Sequence, residues 1–169
     1  MKKLWIAILS VTLGLVFTTS VFCAEMAKEG SADIRGAKSG TLQILAMGEG
    51  RNQMNYEETG VIIDAPENSP FFNTTWYGLG TLHGLKGEFV AIGGMVFTRP
   101  NGDQIYATVG TGGKHGEGIS KGGVKFVGGT GECTGIEGEM VTKARPKTKS
   151  SKQGSYQQIV LSNVTWKIP

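Results

Sequence analysis

The chain has 169 residues, of which 39% are hydrophobic, 18% are charged and 27 are glycine, with a formal net charge of +3. That length suits one domain able to bury a core, and the glycine-rich, weakly charged composition is unlike a helical bundle. Two of the 17 basic residues are Lys2 and Lys3, so the chain beyond them carries 15 basic against 14 acidic residues, and a net charge of +1 argues against a nucleic-acid partner.

Residues 1–23 read as a secretory signal. Lys2 and Lys3 form the positive start, Leu4 to Phe17 the apolar run, and Thr18, Thr19 and Ser20 the polar approach to a cleavage point after Cys23. Two alternatives are an uncleaved membrane anchor, since the run approaches spanning length, and a lipid anchor on Cys23, which the bulky Phe22 disfavours. The expected mature protein is exported, periplasmic or secreted, with no integral membrane span. It retains one cysteine, Cys133, which cannot form an intramolecular disulfide; no His or basic neighbour adjoins it, so it reads as a small buried apolar residue.

Residues 24–39 are mostly polar, with glycines and no usable period, and read as a mobile N-terminal lead to a single domain over 40–169. Residues 41–47 alternate enough for a strand, and 53–64 form a second, ending in Val61-Ile62-Ile63. Pro66, Asn68, Ser69 and Pro70 mark a loop. Residues 72–83 carry Thr74, Thr75, Trp76 and Tyr77 before a Gly78-Leu79-Gly80 break. Residues 88–99 make the strongest strand, apolar on both faces, which predicts that one face lines an interior while a loop, helix or second subunit covers the other. Pro100-Asn101-Gly102-Asp103 closes a hairpin to 104–111, whose alternation fits one wet and one dry face. Residues 112–123 read as a glycine loop, 124–127 as a strand leading into a glycine-punctuated corner over 127–139, 135–144 as the strand leading out of it, 145–154 as a second loop and 156–168 as the last strand.

Eight strand candidates without an amphipathic helix leave no crossovers for parallel pairing, so the strands are expected to be antiparallel hairpins. Eight such strands close into a barrel that is packed by side chains or holds one small ligand. A two-sheet β-sandwich is the competing architecture, but the chain offers no obvious edge-protecting strand.

The segment Phe126-Val127-Gly128-Gly129-Thr130-Gly131-Glu132, followed by Thr134-Gly135-Ile136-Glu137-Gly138, resembles the F-x-GGTG-x-(F/Y)-x-G-(I/A)-x-G stretch of allene oxide cyclase and dirigent-like barrels and of related small exported bacterial proteins. Upstream, Asn101-Gly102-Asp103-Gln104-Ile105-Tyr106 is similar to the D-G-D-x-(I/V)-Y hairpin of the same proteins. The resemblance implies an eight-stranded antiparallel barrel, in some members a dimer or trimer. Cys133 departs from it, standing where those proteins usually place an aromatic. No cyclase catalytic residue maps onto this chain one by one, so the resemblance carries no chemistry.

His83 and His115 are the only histidines and make no metal-ligand spacing with each other or with cysteine, so neither a metal nor a cofactor is expected. Gly110-Thr111-Gly112-Gly113-Lys114 and Gly129-Thr130-Gly131 fail the phosphate-loop and dinucleotide patterns, because no helix follows. Glu137 and Glu139 share one strand face and read as solvated. Trp76, Tyr77, Phe89, Phe97, Tyr106 and Trp166 are the candidates to line a cavity and stack on a small hydrophobic or aromatic ligand. The leading expectation is a non-enzymatic exported barrel that binds such a ligand or self-assembles. An isomerase or cyclase working by confinement is the alternative, with His83, Glu88 and Tyr106 as its polar groups on condition that they enter the cavity. A third is a surface adhesion module using the basic run Lys143, Arg145, Lys147, Lys149 and Lys152.

Overall fold

The structure, a computed structural model, describes residues 25–114, 122–144, 152 and 154–169. Eight strands run in chain order: β1 (Glu29–Ala46), β2 (Arg51–Asp64), β3 (Thr75–Leu85), β4 (Glu88–Thr98), β5 (Gln104–Lys114), β6 (Gly122–Gly129), β7 (Glu137–Ala144) and β8 (Ser155–Lys167). Each pairs antiparallel with its sequence neighbour, and β8 returns to β1 from Glu29↔Lys167 to Thr41↔Ser155, closing the barrel. That closure leaves no edge strand and excludes the sandwich. The signal segment lies outside the described residues.

Period-two alternation builds the wall. On β4, Ala91, Met95 and Phe97 are buried inside, while Val90 and Ile92 face out at 59% and 60% exposure. The expected cover over this second face is therefore not supplied by the described chain. At the β4–β5 hairpin, the Gly102 N–H donates to the Arg99 carbonyl and the Arg99 N–H to that of Asp103, both at 2.9 Å. Of Asn101 and Gly102 only the glycine takes positive φ, at 91°. Pro and Asn thus sit in an ordinary tight turn and glycine supplies the left-handed step that rejoins the strands.

Three expectations need correction. The lead does not stop short of the barrel: β1 begins at Glu29, and Ala32 and Ile34 are buried core residues. The Gly78-Leu79-Gly80 break does not interrupt β3, which runs unbroken from Thr75 to Leu85. The glycine loop expected over 112–123 is shorter, since β5 continues to Lys114 and β6 starts at Gly122. In each case strand pairing supplies hydrogen bonds that an isolated glycine-rich segment lacks: residues 29–34 pair with β8, residues 78–80 with both β2 and β4, and residues 112–114 with β4.

One end of the barrel is packed solid. Phe71, carried inward by the β2–β3 connection, lies 5.1 Å from Phe126 and 5.8 Å from Phe97 between ring centres, with Trp166 at 6.2 Å. Such ring pairs add about 0.5–1.5 kcal/mol each beyond burial. Ile105, Ile136, Val164 and Cys133, all 0% exposed, complete the plug. Burial pushes the Cys133 thiol above its ordinary range, opposed by the nearby Arg99.

The glycine corner and the β4–β5 hairpin grip each other at this end. Thr130 Oγ1 accepts from the Gln104 N–H at 2.8 Å, the Thr130 N–H donates to the Gln104 carbonyl at 2.8 Å, and Asp103 accepts the Glu132 N–H at 3.0 Å. Arg99 adds an ion pair to Glu132 at 2.6 Å. Gly131, at φ +54°, is seated directly against the Asp103 carboxylate, where a side chain would collide. The two sequence segments that carry the family resemblance are thus the two halves of one structural clamp.

Candidate functional site

Away from the plug, the barrel is hollow. A cavity of about 340 Å³ opens at the end where the β1–β2 and β3–β4 turns lie. Its wall is mostly apolar and includes Trp76, Phe89, Ala91, Met140 and Val160. The volume falls at the lower end of the range for small-molecule sites.

Among the described residues, one ion pair sits inside. Glu58 on β2 and Tyr156 on β8 are the register partners of Gly40 on either side of β1, and Lys38 lies two residues before Gly40 on the same inward face. Alternation therefore converges three polar side chains around one glycine. Lys38 Nζ reaches Glu58 Oε2 at 2.6 Å, and the Tyr156 hydroxyl donates to the same oxygen at 2.7 Å. Lys38 Nζ also stands 5.4 Å from the centre of the Tyr156 ring. A Cβ on Gly40 would lie 2.6 Å from the Tyr156 hydroxyl, so only glycine leaves the tyrosine room to reach across. The Lys38 and Glu58 side chains are 9% and 8% exposed. At that burial, desolvation offsets much of the Coulombic gain, so the pair adds little stability over an apolar replacement. Deeper polar groups are the hydroxyls of Ser162 and Thr142, 3.4 Å apart, and the indole N–H of Trp76, which is buried without a hydrogen-bond partner.

Of the residues singled out from sequence, Trp76, Phe89 and Phe97 line the cavity. Trp166 is buried, but in the plug, with its indole N–H donating to the Ala27 carbonyl at 2.9 Å. Tyr77 and Tyr106 are on the outer surface, 42% and 37% exposed. The Tyr77 hydroxyl donates to Glu57 at 3.0 Å, which holds its phenol above the usual range, and Tyr106 donates to Gln104 at 3.1 Å. His83 and Glu88 are exposed, and neither they nor Tyr106 enters the barrel, so the acid–base trio expected for confinement catalysis is not assembled. Their strand parity explains this: His83 shares its face with Tyr77 and Leu79, and Glu88 with Val90 and Ile92. Glu137 and Glu139 are exposed, as read from sequence. His115 and, apart from Lys152, the side chains of the basic run lie outside the described residues. Among the described residues no group of three His, Cys, Asp or Glu side chains could hold a metal ion, and no helix is long and apolar enough to cross a membrane. Sequence reading missed Lys38, Glu58 and Tyr156.

No family model matches the chain, and a comparison with curated proteins found no relative. Among solved structures, the chain is similar to a protein of unknown function from the DUF3224 family of Shewanella oneidensis MR-1. The two share 16% identity over 83% of this chain and 98% of that one, with a TM-score of 0.52. At that identity the likeness shows the fold alone. A relationship to allene oxide cyclases or dirigent proteins is not shown by these comparisons.

Proposed function

We propose that this protein is an exported barrel that binds a small, largely apolar, ring-bearing ligand, holding the ligand's polar end against Lys38, Glu58 and Tyr156. The observation that carries the reading is a hollow apolar cavity containing one buried, tyrosine-braced ion pair. An apolar pocket with a few convergent polar groups is the usual form of a small-molecule site. The Trp76 indole N–H supports a ligand with a hydrogen-bond acceptor, because a buried donor left unpaired costs about 1–3 kcal/mol. The glycine-segment resemblance to allene oxide cyclase and dirigent-like barrels supports kinship in fold; its residues form the clamp and touch none of the cavity chemistry.

The test uses N-phenyl-1-naphthylamine, a neutral aromatic probe, titrated against the purified protein. Saturable one-to-one binding with quenching of tryptophan emission is expected, and Ala91→Phe, which fills the cavity, is expected to abolish it in a folded protein. Absence of saturable binding, or binding indifferent to A91F, overturns the reading. A specific observation also favours self-assembly: Leu79, Val90, Ile92 and Tyr106 form an exposed apolar face on β3 to β5. Sedimentation velocity across a concentration series tests it, and a monomer at every concentration excludes it.

A further inference from the structure

The open end of the barrel differs from the plugged end in both hydrophobicity and charge. The β1–β2 hairpin outruns β8: pairing of β1 with β8 ends at Thr41↔Ser155, while pairing with β2 continues to Ala46↔Asn52. The overhang carries Ile44, Leu45 and Met47 at 60%, 61% and 55% exposure, and Leu85 and Val90 stand at the adjacent β3–β4 turn at 48% and 59%. The two turns are tied together by the Lys86 N–H, which donates to the Gly50 carbonyl at 2.7 Å. Leu42 and Phe89, which line the cavity, lie on the same two hairpins as these tips.

Cations surround these tips. Arg51, Lys86, Lys114 and Lys152 are exposed at the open end, against Glu49 and Glu88. Among the described residues, the plugged end carries Glu25, Glu29, Asp64, Glu67, Asp103, Glu132 and Glu137 against Lys28, Arg35 opposite Asp64, Arg99 and Lys167, an excess of acids. The barrel thus has a cationic, greasy mouth and an anionic floor, a charge separation that orients it mouth-first towards a negatively charged surface.

We infer that this mouth docks on an anionic phospholipid bilayer. Protruding aliphatic tips flanked by cations at one level are how a protein lies on a bilayer, with apolar area entering the headgroup boundary and Lys or Arg meeting the phosphates. A protein partner fits less well, because interface cores are depleted of charge, whereas here the cations alternate with the apolar tips. Docking stands independently of what the cavity holds, although a mouth resting on lipid would open the cavity directly to the acyl region.

The experiment is co-sedimentation of the purified protein with vesicles of pure phosphatidylcholine and of phosphatidylcholine with 30% phosphatidylglycerol, at low and at physiological salt. Binding to the anionic vesicles is expected, weakened by salt. Leu45→Asp with Met47→Asp is expected to reduce partitioning at least tenfold, and Arg51→Ser with Lys86→Ser about fivefold per cation removed. Both variants should retain N-phenyl-1-naphthylamine binding and the wild-type circular dichroism spectrum, which separates loss of docking from loss of the cavity or the fold. Equal binding to both vesicle types overturns the inference. So does binding that persists in L45D/M47D, which would assign attachment to another segment such as the apolar run at residues 4–17. A concentration-dependent dimer abolished by L45D/M47D, with no vesicle binding, also overturns it and gives the mouth to a second copy of the chain.

Discussion

Replacing the buried pair one side at a time and then together tests the character of the cavity. In Lys38→Met, Glu58 loses its cation at 2.6 Å but keeps the Tyr156 hydroxyl at 2.7 Å, so the destabilisation belongs at the low end of the range for an orphaned buried charge, about 3 kcal/mol. In Glu58→Leu, the ammonium loses its carboxylate and the tyrosine hydroxyl loses the Glu58 oxygen it donates to, two groups rather than one, which places the loss higher, at about 4 kcal/mol. The double variant exchanges an ion pair for apolar volume in an apolar wall and should fall within about 1 kcal/mol of wild type. The coupling energy is then about 6 kcal/mol or more. Urea unfolding followed by tryptophan emission at pH 7 measures all three, and the single variants should also melt about 10 °C lower for a domain of this size. Two single losses below about 1 kcal/mol, the value for solvated pairs, would refute the reasoning, because the pair would then be hydrated through the mouth. So would single losses that simply add.

Two further predictions concern the plug. Gly131→Ala forces a left-handed residue to carry a Cβ into the Asp103 carboxylate, and should cost about 2–3 kcal/mol in urea unfolding through strain and the displaced Glu132 hydrogen bond; a loss below 0.5 kcal/mol would deny the clamp. Burial raises the Cys133 thiol, so its contribution to stability is full below the ordinary thiol range and is lost as pH rises from there through the folded value. Peptide mapping after iodoacetamide at pH 8 should find Cys133 unmodified until denaturant is added, and the alkaline fall in stability should shrink in Cys133→Ala; rapid native labelling would contradict this.

The barrel was legible because β4 is a dense run of strand-forming residues, β5 and β8 alternate, and the Pro100 to Asp103 turn carries its own chemistry. The first half of β1 was not, for a physical reason. Its inward row includes Gly30, Gly36, Lys38 and Gly40, so an apolar count finds no period there. Those glycines are the seats of large rings from other strands: a Cβ on Gly30 would lie 2.7 Å from Trp166, on Gly36 2.8 Å from Trp76, and on Gly40 2.6 Å from Tyr156. The apolar surface that fills the β1 face is therefore written elsewhere in the chain. Glu58 was within reach, since it shares parity with Ile62, Tyr56 and Met54 on a strand recognised as such, and Tyr156 shares parity with Val160, Val164 and Trp166. Polar residues on an inward row were the available signal. Aromatic content alone pointed to Tyr77 and Tyr106, and it failed there because the odd-numbered outer face of β3 and the even-numbered outer face of β5 also carry rings.

The claim that the barrel is hollow and receives an apolar ring is tested most directly by nuclear Overhauser contacts between bound N-phenyl-1-naphthylamine and assigned methyl groups. Contacts to Ala91, Met140 and Val160, which line the cavity, are the predicted result. Contacts confined to Val90, Ile92 and Leu79 on the outer face, with none to the three interior methyls, would contradict it.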